Sequence, residues 1–487
     1  MKSNYQQKAR TAATILTAIL CAGPLHAVAQ NPAPSCPLNG WQEGLNRYLK
    51  PTFPFPTSDT ANDTPATPAP DCVFQQWSAE AFVWATALGS NGVPRFMTLP
   101  TPDQLLPKAK KLPPKGGKLT LKLAARSLSA HGTPGFTEGA GAIVEADGNV
   151  LVSPNGYPVY ASVHMNPSYF ATAQKNLLAT GGYLKQPADS YFDVGAAVFK
   201  ATWLRLGPNE KAPAGAYTTQ AQVPVLNVLR TQNSYAVVPI ANQFTTVTVA
   251  LVGLHVVGYT ENHPEFLWAT FEHRLNSPRT PDNQFNTSGS SPTNYTFYAA
   301  GTSYAQVNQP NPPQSGQSYT PPQLWFDPVT QKFSPSNNVV LENQTGGTNF
   351  PNGAADIANV SSSMQRFFTG LKSPQSVFGN YDLIGTVWLE ANSYTSKNPN
   401  VLKTNASNAI GSVNLANSTA ETFQQYASNS NAANVQNCFM CHNPTTLSGP
   451  GSKFPPRRIS ISHVLEVGTP QAVQNLLIVP ITKPQSK

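Results

Sequence analysis

The chain has 487 residues and a formal net charge of +8, with 11% charged and 40% hydrophobic residues. That length allows about two to four domains, and so mild a positive balance gives no case for nucleic acid as a partner. Pro, Ser, Thr, Asn and Gln supply the polar surface in place of charge, as is common in exported proteins.

Residues 1–29 read as an export signal. Lys2, Lys8 and Arg10 precede the apolar stretch "TAATILTAILCAG", and Ala27 and Ala29 offer small residues for cleavage before Gln30. The stretch is too short to span a bilayer. A lipoprotein reading of Cys21 is weakened by Leu20, which stands where a small residue is wanted. Three basic residues and no acidic ones leave with the signal, so the net charge falls to +5. No later run reads as a membrane helix, so a periplasmic or secreted protein is expected.

Four cysteines then remain: Cys36, Cys72, Cys438 and Cys441. An oxidising compartment favours a Cys36–Cys72 disulfide, worth about 4 kcal/mol on the chain-entropy model. The alternative is two buried thiols. Cys438 and Cys441 are left for chemistry.

Residues 31–70 are proline-rich, and "CVFQQWSAEAFVWATAL" after them predicts a helix. Residues 107–126 carry seven positive charges and no acid. They form either an ordinary solvated loop or a docking surface for an acidic partner. From 142 to 260 the pattern is that of strands. "AIVEADGNVLV" and "SPNGYPVYASV" place Asp147-Gly148 and Asn155-Gly156 at hairpin turns, and "AAVFKATWLRL" reads as a further strand. In "FTTVTVALVGLHVVGY" the odd positions Val247, Val249, Leu251, Gly253, His255 and Val257 form one largely apolar face. "EFLWATFEHRL" follows a turn at His263-Pro264 and would pair with it, with Leu267, Ala269, Phe271 and His273 sharing a face.

Residues 276–350 read as long surface connections, ordered by Tyr295, Phe297, Trp325 and Phe333. "SSSMQRFFTGLK" predicts a short amphipathic helix that Gly370 ends. In "STAETFQQYA", Ser418 and Glu421 stand at capping-box spacing, which predicts a helix from near Thr419. The expected fold class is therefore α+β: a β-rich body with short helices and a C-terminal segment. The expected divisions are a signal over 1–29, an N-terminal segment with the disulfide over 30–130, the β-rich body over 131–375, and a C-terminal segment packed on it over 376–487.

That last segment contains Cys438-Phe439-Met440-Cys441-His442, the c-type haem attachment pattern, which makes 376–487 the expected haem c attachment segment. Thiols three residues apart lie on one face of a helical turn and reach two vinyl groups along one porphyrin edge. The adjacent histidine coordinates iron as the proximal ligand. A redox dithiol normally opens a helix in a thioredoxin-like setting, which is lacking around residue 438. A zinc site could draw on Cys438, Cys441, His442 and His463, although adjacent Cys441 and His442 strain such a cage. Only 45 residues follow His442, and they contain no methionine. The distal ligand is then His463, an upstream residue, or nothing, and the upstream body must cover the haem. The upstream candidates are His255 and His273, with Met97, Met165 and Met364 less distinctive. His164 and His263 beside proline turns read as surface residues.

"VALVGLHVVGY", "EFLWATFEHRLNSP", "YTFY", "STAETFQQYA" and "CFMCH", in this order, resemble a group of large exported bacterial proteins called cytochrome c family proteins. The likeness spans most of residues 72–445, apart from the long Ser/Asn-rich insertions. It implies a single covalent haem and an electron-transfer role, and it points to His255 and His273 rather than His463 as shared positions. The redox partner would be another protein, of acidic character if the basic loop docks it. The alternatives are a haem enzyme or a gas or peroxide sensor with an open sixth site, and a protein stabilised by structural zinc. "GAGAIV" at 139–144 lacks the third glycine of a dinucleotide fingerprint. Glu272 and His273 are strand neighbours that point to opposite faces, so they make no acid–base pair.

Overall fold

A computed structural model describes residues 38, 40–58, 71–105, 121–122, 124–125, 150–178, 187–230, 234–279, 289–309, 324–341, 353–389, 409–412, 417–423, 438–444, 457–464 and 477–480. In chain order its main elements are α1 (Trp41–Gly44), α2 (Asp71–Thr86), β1 (Leu121–Lys122), β2 (Ala124–Ala125), β3 (Tyr160–Met165), α3 (Pro167–Leu178), β4 (Ala197–Arg205), β5 (Thr218–Arg230), β6 (Ser234–Gly258), β7 (Leu267–His273), β8 (Trp325–Asp327), β9 (Lys332–Ser334), α4 (Gly353–Thr369), β10 (Tyr381–Leu389), β11 (Ala409–Gly411) and β12 (Leu477–Pro480). The fold is mixed α and β, dominated by one sheet. The signal segment, Cys36, most of the basic loop and the Asp147-Gly148 turn lie outside the described residues.

The sheet runs β11-β10-β7-β6-β4-β3-β2, and β6 is its spine. The first part of β6 pairs with β5 and β12, and its last part lies between β4 and β7. The β-branched run from Thr245 to Val257 suits this position, because such side chains pack well on a pleated surface. Strands as far apart in the chain as β1 and β12 thus share one sheet, whereas β8 and β9 pair with each other in a separate two-stranded sheet. The Asn155-Gly156 turn is present: Gly156 has φ 87°, and Ser153 N–H donates to the Tyr157 carbonyl at 3.0 Å.

One face of the sheet is covered by α2 and α4. Phe82 of α2 stacks on Phe271 of β7 at 4.2 Å, and Phe74 stacks on Trp388 of β10 at 4.1 Å. The odd residues Leu267, Ala269 and Phe271 point into this layer, as their alternation predicts. Gly370 follows α4 and donates its N–H to the Arg366 carbonyl at 3.1 Å. Cys72 at the start of α2 is buried and disulfide-bonded.

The expected single face of β6 does not exist. Thr202 stands opposite Gly253, but Trp203 stands opposite Leu251, so Val252 is an extra residue in the strand. This bulge reverses the alternation. Val249 and Leu251 face the helices, whereas His255 and Val257 face away from them. The bulged backbone remains hydrogen-bonded: Asn276 Nδ2 donates to the Val252 carbonyl at 2.7 Å, and Tyr381 Oη donates to that of Leu251 at 2.9 Å.

Other expectations are corrected as well. Residues 417–423 form bends and turns rather than a helix start. Asn417 Oδ1 accepts the N–H groups of Ala420 and Glu421 at 2.9 and 2.6 Å, so Asn417 caps this turn. That leaves Ser418 and Glu421 to reach the sheet. His164 and His263 are buried, not on the surface. His164 packs edge-on against Phe96, and His263 lies between Phe74 and the carboxylate of Glu265 at 2.7 Å. A proline turn redirects the backbone, but the neighbouring aromatics decide where the imidazole goes.

Candidate haem-attachment site

The face of the sheet opposite α2 and α4 carries successive cross-strand rows. Val198, Val257, Trp268 and Val387 stand opposite one another across β4, β6, β7 and β10. Two residues further along lie Lys200, His255, Thr270 and Gly385, followed by Thr202, Gly253 and Glu272. Rows two residues apart are separated by about 7 Å.

The C-terminal segments pack on the first row. Cys438–Cys441 form a single helical turn, and His442 N–H donates to the Cys438 carbonyl at 2.8 Å. Residues i and i+3 share a face of such a turn, so the two cysteines have the spacing that covalent haem attachment requires. Phe439 is buried and meets Trp268 edge-on at 6.1 Å. Cys438 is partly buried against the apolar cluster of Val257, Phe439, Ile459, Ile461 and Val464. The side chains of Met440 and Cys441 lie outside the described residues.

His442 sits within this cluster in a defined orientation. Its Nδ1 lies 3.0 Å from the carbonyl of Ile461, at the end of the 3-10 turn Arg458–Ile461. A carbonyl only accepts, so Nδ1 carries the proton, and in the neutral ring the lone pair belongs to Nε2. This is the tautomer an iron ligand bonding through Nε2 needs, with a backbone carbonyl as its outer partner. The ring also stacks on His463 at 4.0 Å and 21°, and meets Trp268 at 4.4 Å and 39°.

The three distal candidates fare differently. His463 is brought to His442, but face to face. Two imidazoles on opposite sides of one iron have metal–nitrogen bonds of about 2 Å each, so their ring centres stand on the order of 6 Å apart, end to end. His463 is not in that position, and it follows a 3-10 turn rather than lying on a strand. His255 shares the sheet face with Trp268, but Thr270 Oγ1 lies 2.7 Å from its Nδ1 and Glu421 Oε2 lies 3.0 Å from its Nε2. His273 is on the opposite face, edge-on to Tyr381 at 5.3 Å. Burial lowers its pKa to about 4, so it is neutral at pH 7. The bulge in β6 explains the separation: without it, His255 would face the helices as His273 does.

The second and third rows hold a polar cluster closed by residues 417–423. Glu421 accepts from Lys200 Nζ at 2.8 Å and from Asn417 Nδ2 at 2.7 Å, besides facing His255. Burial alone would raise the pKa of this carboxyl, but Lys200 and His255 hold it well below the usual carboxylate range. Ser418 bonds Glu272 through both its N–H, at 2.6 Å, and its hydroxyl. Burial dominates at Glu272 and pushes its pKa up, with Ser418 opposing. Thr419 and Thr202 share a hydrogen bond of 2.8 Å above Gly253. A Cβ at Gly253 would lie 2.5 Å from both hydroxyl oxygens, so the bond requires glycine there.

No motif in the sequence marks Trp268, Lys200, Thr270 or the Ile461 carbonyl as part of a site. Alternation alone would place Trp268, Thr270 and Glu272 on one face, which is the available signal. The Ile461 carbonyl leaves no trace in residue types. Among the described residues no group of three His, Cys, Asp or Glu is placed to hold a metal ion, and no helix is long and apolar enough to cross a membrane. The chain matches no protein-family model, no curated protein and no solved structure.

Proposed function

We propose that this chain is an exported monohaem c-type cytochrome that passes one electron at a time to and from a protein partner. Cys438 and Cys441 would hold the porphyrin through thioether bonds, and His442 would ligate iron through Nε2. Bound there, the haem supplies a one-electron couple at iron. The chain's own part is to fix the ligand tautomer through the Ile461 carbonyl and to keep the attachment turn on an apolar surface. The observation that supports this most directly is the pairing of a one-turn CxxC with a histidine whose Nδ1–H donates to that carbonyl.

A second reading has its own support. None of the three distal histidine candidates stands across from His442: His463 is stacked on it, His255 is held by Glu421 and Thr270, and His273 faces the helices. An iron with an open sixth position would suit a haem enzyme or a sensor of gas or peroxide.

Optical spectra of protein purified from haem-attaching cells test both. Sharp reduced bands unaffected by carbon monoxide support a closed electron carrier. Bands that shift with carbon monoxide support the open site. No haem absorbance rejects both and leaves structural zinc for metal analysis.

A further inference from the structure

We infer that His463 and Trp268 are positioning residues that fix the tilt of the His442 imidazole, and that His463 is not the sixth ligand; this rests on the haem reading above. A hydrogen bond at Nδ1 sets the direction of the ring within its own plane. It leaves the ring able to rock about that line. A second ring lying nearly parallel at 4.0 Å, as His463 does, opposes this rocking. Trp268 adds a tilted contact at 4.4 Å.

Both partners are themselves held in place. Trp268 is fixed in its cross-strand row, and its Nε1–H donates to the Glu265 carbonyl at 3.1 Å. His463 is only 5% exposed. The residue before it, Ser462, donates its N–H to the Ile459 carbonyl at 3.1 Å, and its hydroxyl meets that of Tyr169 on α3. The stretch Ile461–His463 therefore meets His442 twice, at its Nδ1 edge through the Ile461 carbonyl and on its face through the His463 ring. Iron bonds in the plane of an imidazole, at the nitrogen. Rings stacked on the face therefore do not compete for Nε2. Groups of this kind orient a metal-binding histidine without touching the metal.

The experiment uses haem-loaded protein carrying His463→Phe, His463→Leu, Trp268→Phe or Trp268→Leu. Phenylalanine restores a flat ring, whereas leucine fills space without one. The readouts are the ferric electron paramagnetic resonance spectrum, the midpoint potential and the carbon monoxide response. The phenylalanine variants should keep the wild-type resonance and carbon monoxide response. The leucine variants should retain covalent haem but show shifted or broadened resonances and an altered potential. Two results would overturn the inference. In one, His463→Phe gains a carbon monoxide response that the wild type lacks, which would make His463 the sixth ligand. In the other, both leucine variants match the wild type in resonance and potential. A wild-type protein without haem would overturn this inference and the proposed function together.

Discussion

Glu421 and His255 stand 3.0 Å apart across 166 residues of sequence, and Lys200 closes on the same carboxylate at 2.8 Å. The pairing ties residues 417–423, the last described stretch before the attachment turn, to the centre of the sheet. It also engages one of the three histidines that the sequence offers as a distal ligand.

The carboxylates of this cluster have opposite effects on stability. Glu421 is held below its ordinary value of 4.5. Its contribution is present above that value and is lost as pH falls through the lowered folded pKa. His273, lowered from 6.5 to about 4, destabilises the fold in the same direction as pH falls between those values. Glu272 is raised, so its contribution is present below 4.5 and is lost as pH rises through the folded pKa. Urea unfolding at neutral pH should show Glu421→Gln destabilised by about 3 kcal/mol, the usual cost of breaking a buried ion pair. Glu272→Gln should be neutral or stabilising above pH 7, because the amide can still bond Ser418.

Gly253→Ala should loosen the cover over the polar rows. The added methyl would meet Thr202 and Thr419 at 2.5 Å, and overpacking of this kind costs about 1–3 kcal/mol. A lowered melting temperature, together with new protease cleavage near residues 417–423, is the expected outcome.

Much of the fold was legible because periodicity and turn chemistry are local signals. The β6–β7 pairing, β4, α2, the C-terminal half of α4 from Ser361 and the Asn155-Gly156 turn follow from alternation, aromatic content and glycine placement, whereas the first eight residues of α4 do not. The Val252 bulge was not legible, because its cause is tertiary: Asn276 and Tyr381, 24 and 130 residues away, bond the displaced carbonyls. The Ser418–Glu421 spacing pointed to a capping box, but Glu272 and the Lys200–His255 pair draw those two side chains away and Asn417 takes over the cap. The attachment motif was visible as a pattern of residue types, whereas the Ile461 carbonyl that orients His442 was not.

His255→Gln should leave the optical spectrum of the haem-loaded protein unchanged, because His255 bonds Thr270 and Glu421 rather than iron. It should lower stability by about 1–3 kcal/mol, the cost of weakened buried hydrogen bonds. His273→Phe, on the opposite face of the sheet, should likewise leave the spectrum unchanged. A lost or shifted absorption band in either variant would identify that residue as a ligand.

Cys72 is disulfide-bonded within a buried site. Non-reducing peptide mapping should join it to Cys36. Cys72→Ser should lower stability by about 2–5 kcal/mol, as loss of a native disulfide does in small secreted domains.

The intact mass of the mature protein, purified from cells that attach haem to a control cytochrome, tests the central claim most directly. The account predicts the mass of the polypeptide after signal removal plus one haem, retained under denaturing conditions and abolished by Cys438→Ser with Cys441→Ser. A mass equal to the polypeptide alone would contradict it.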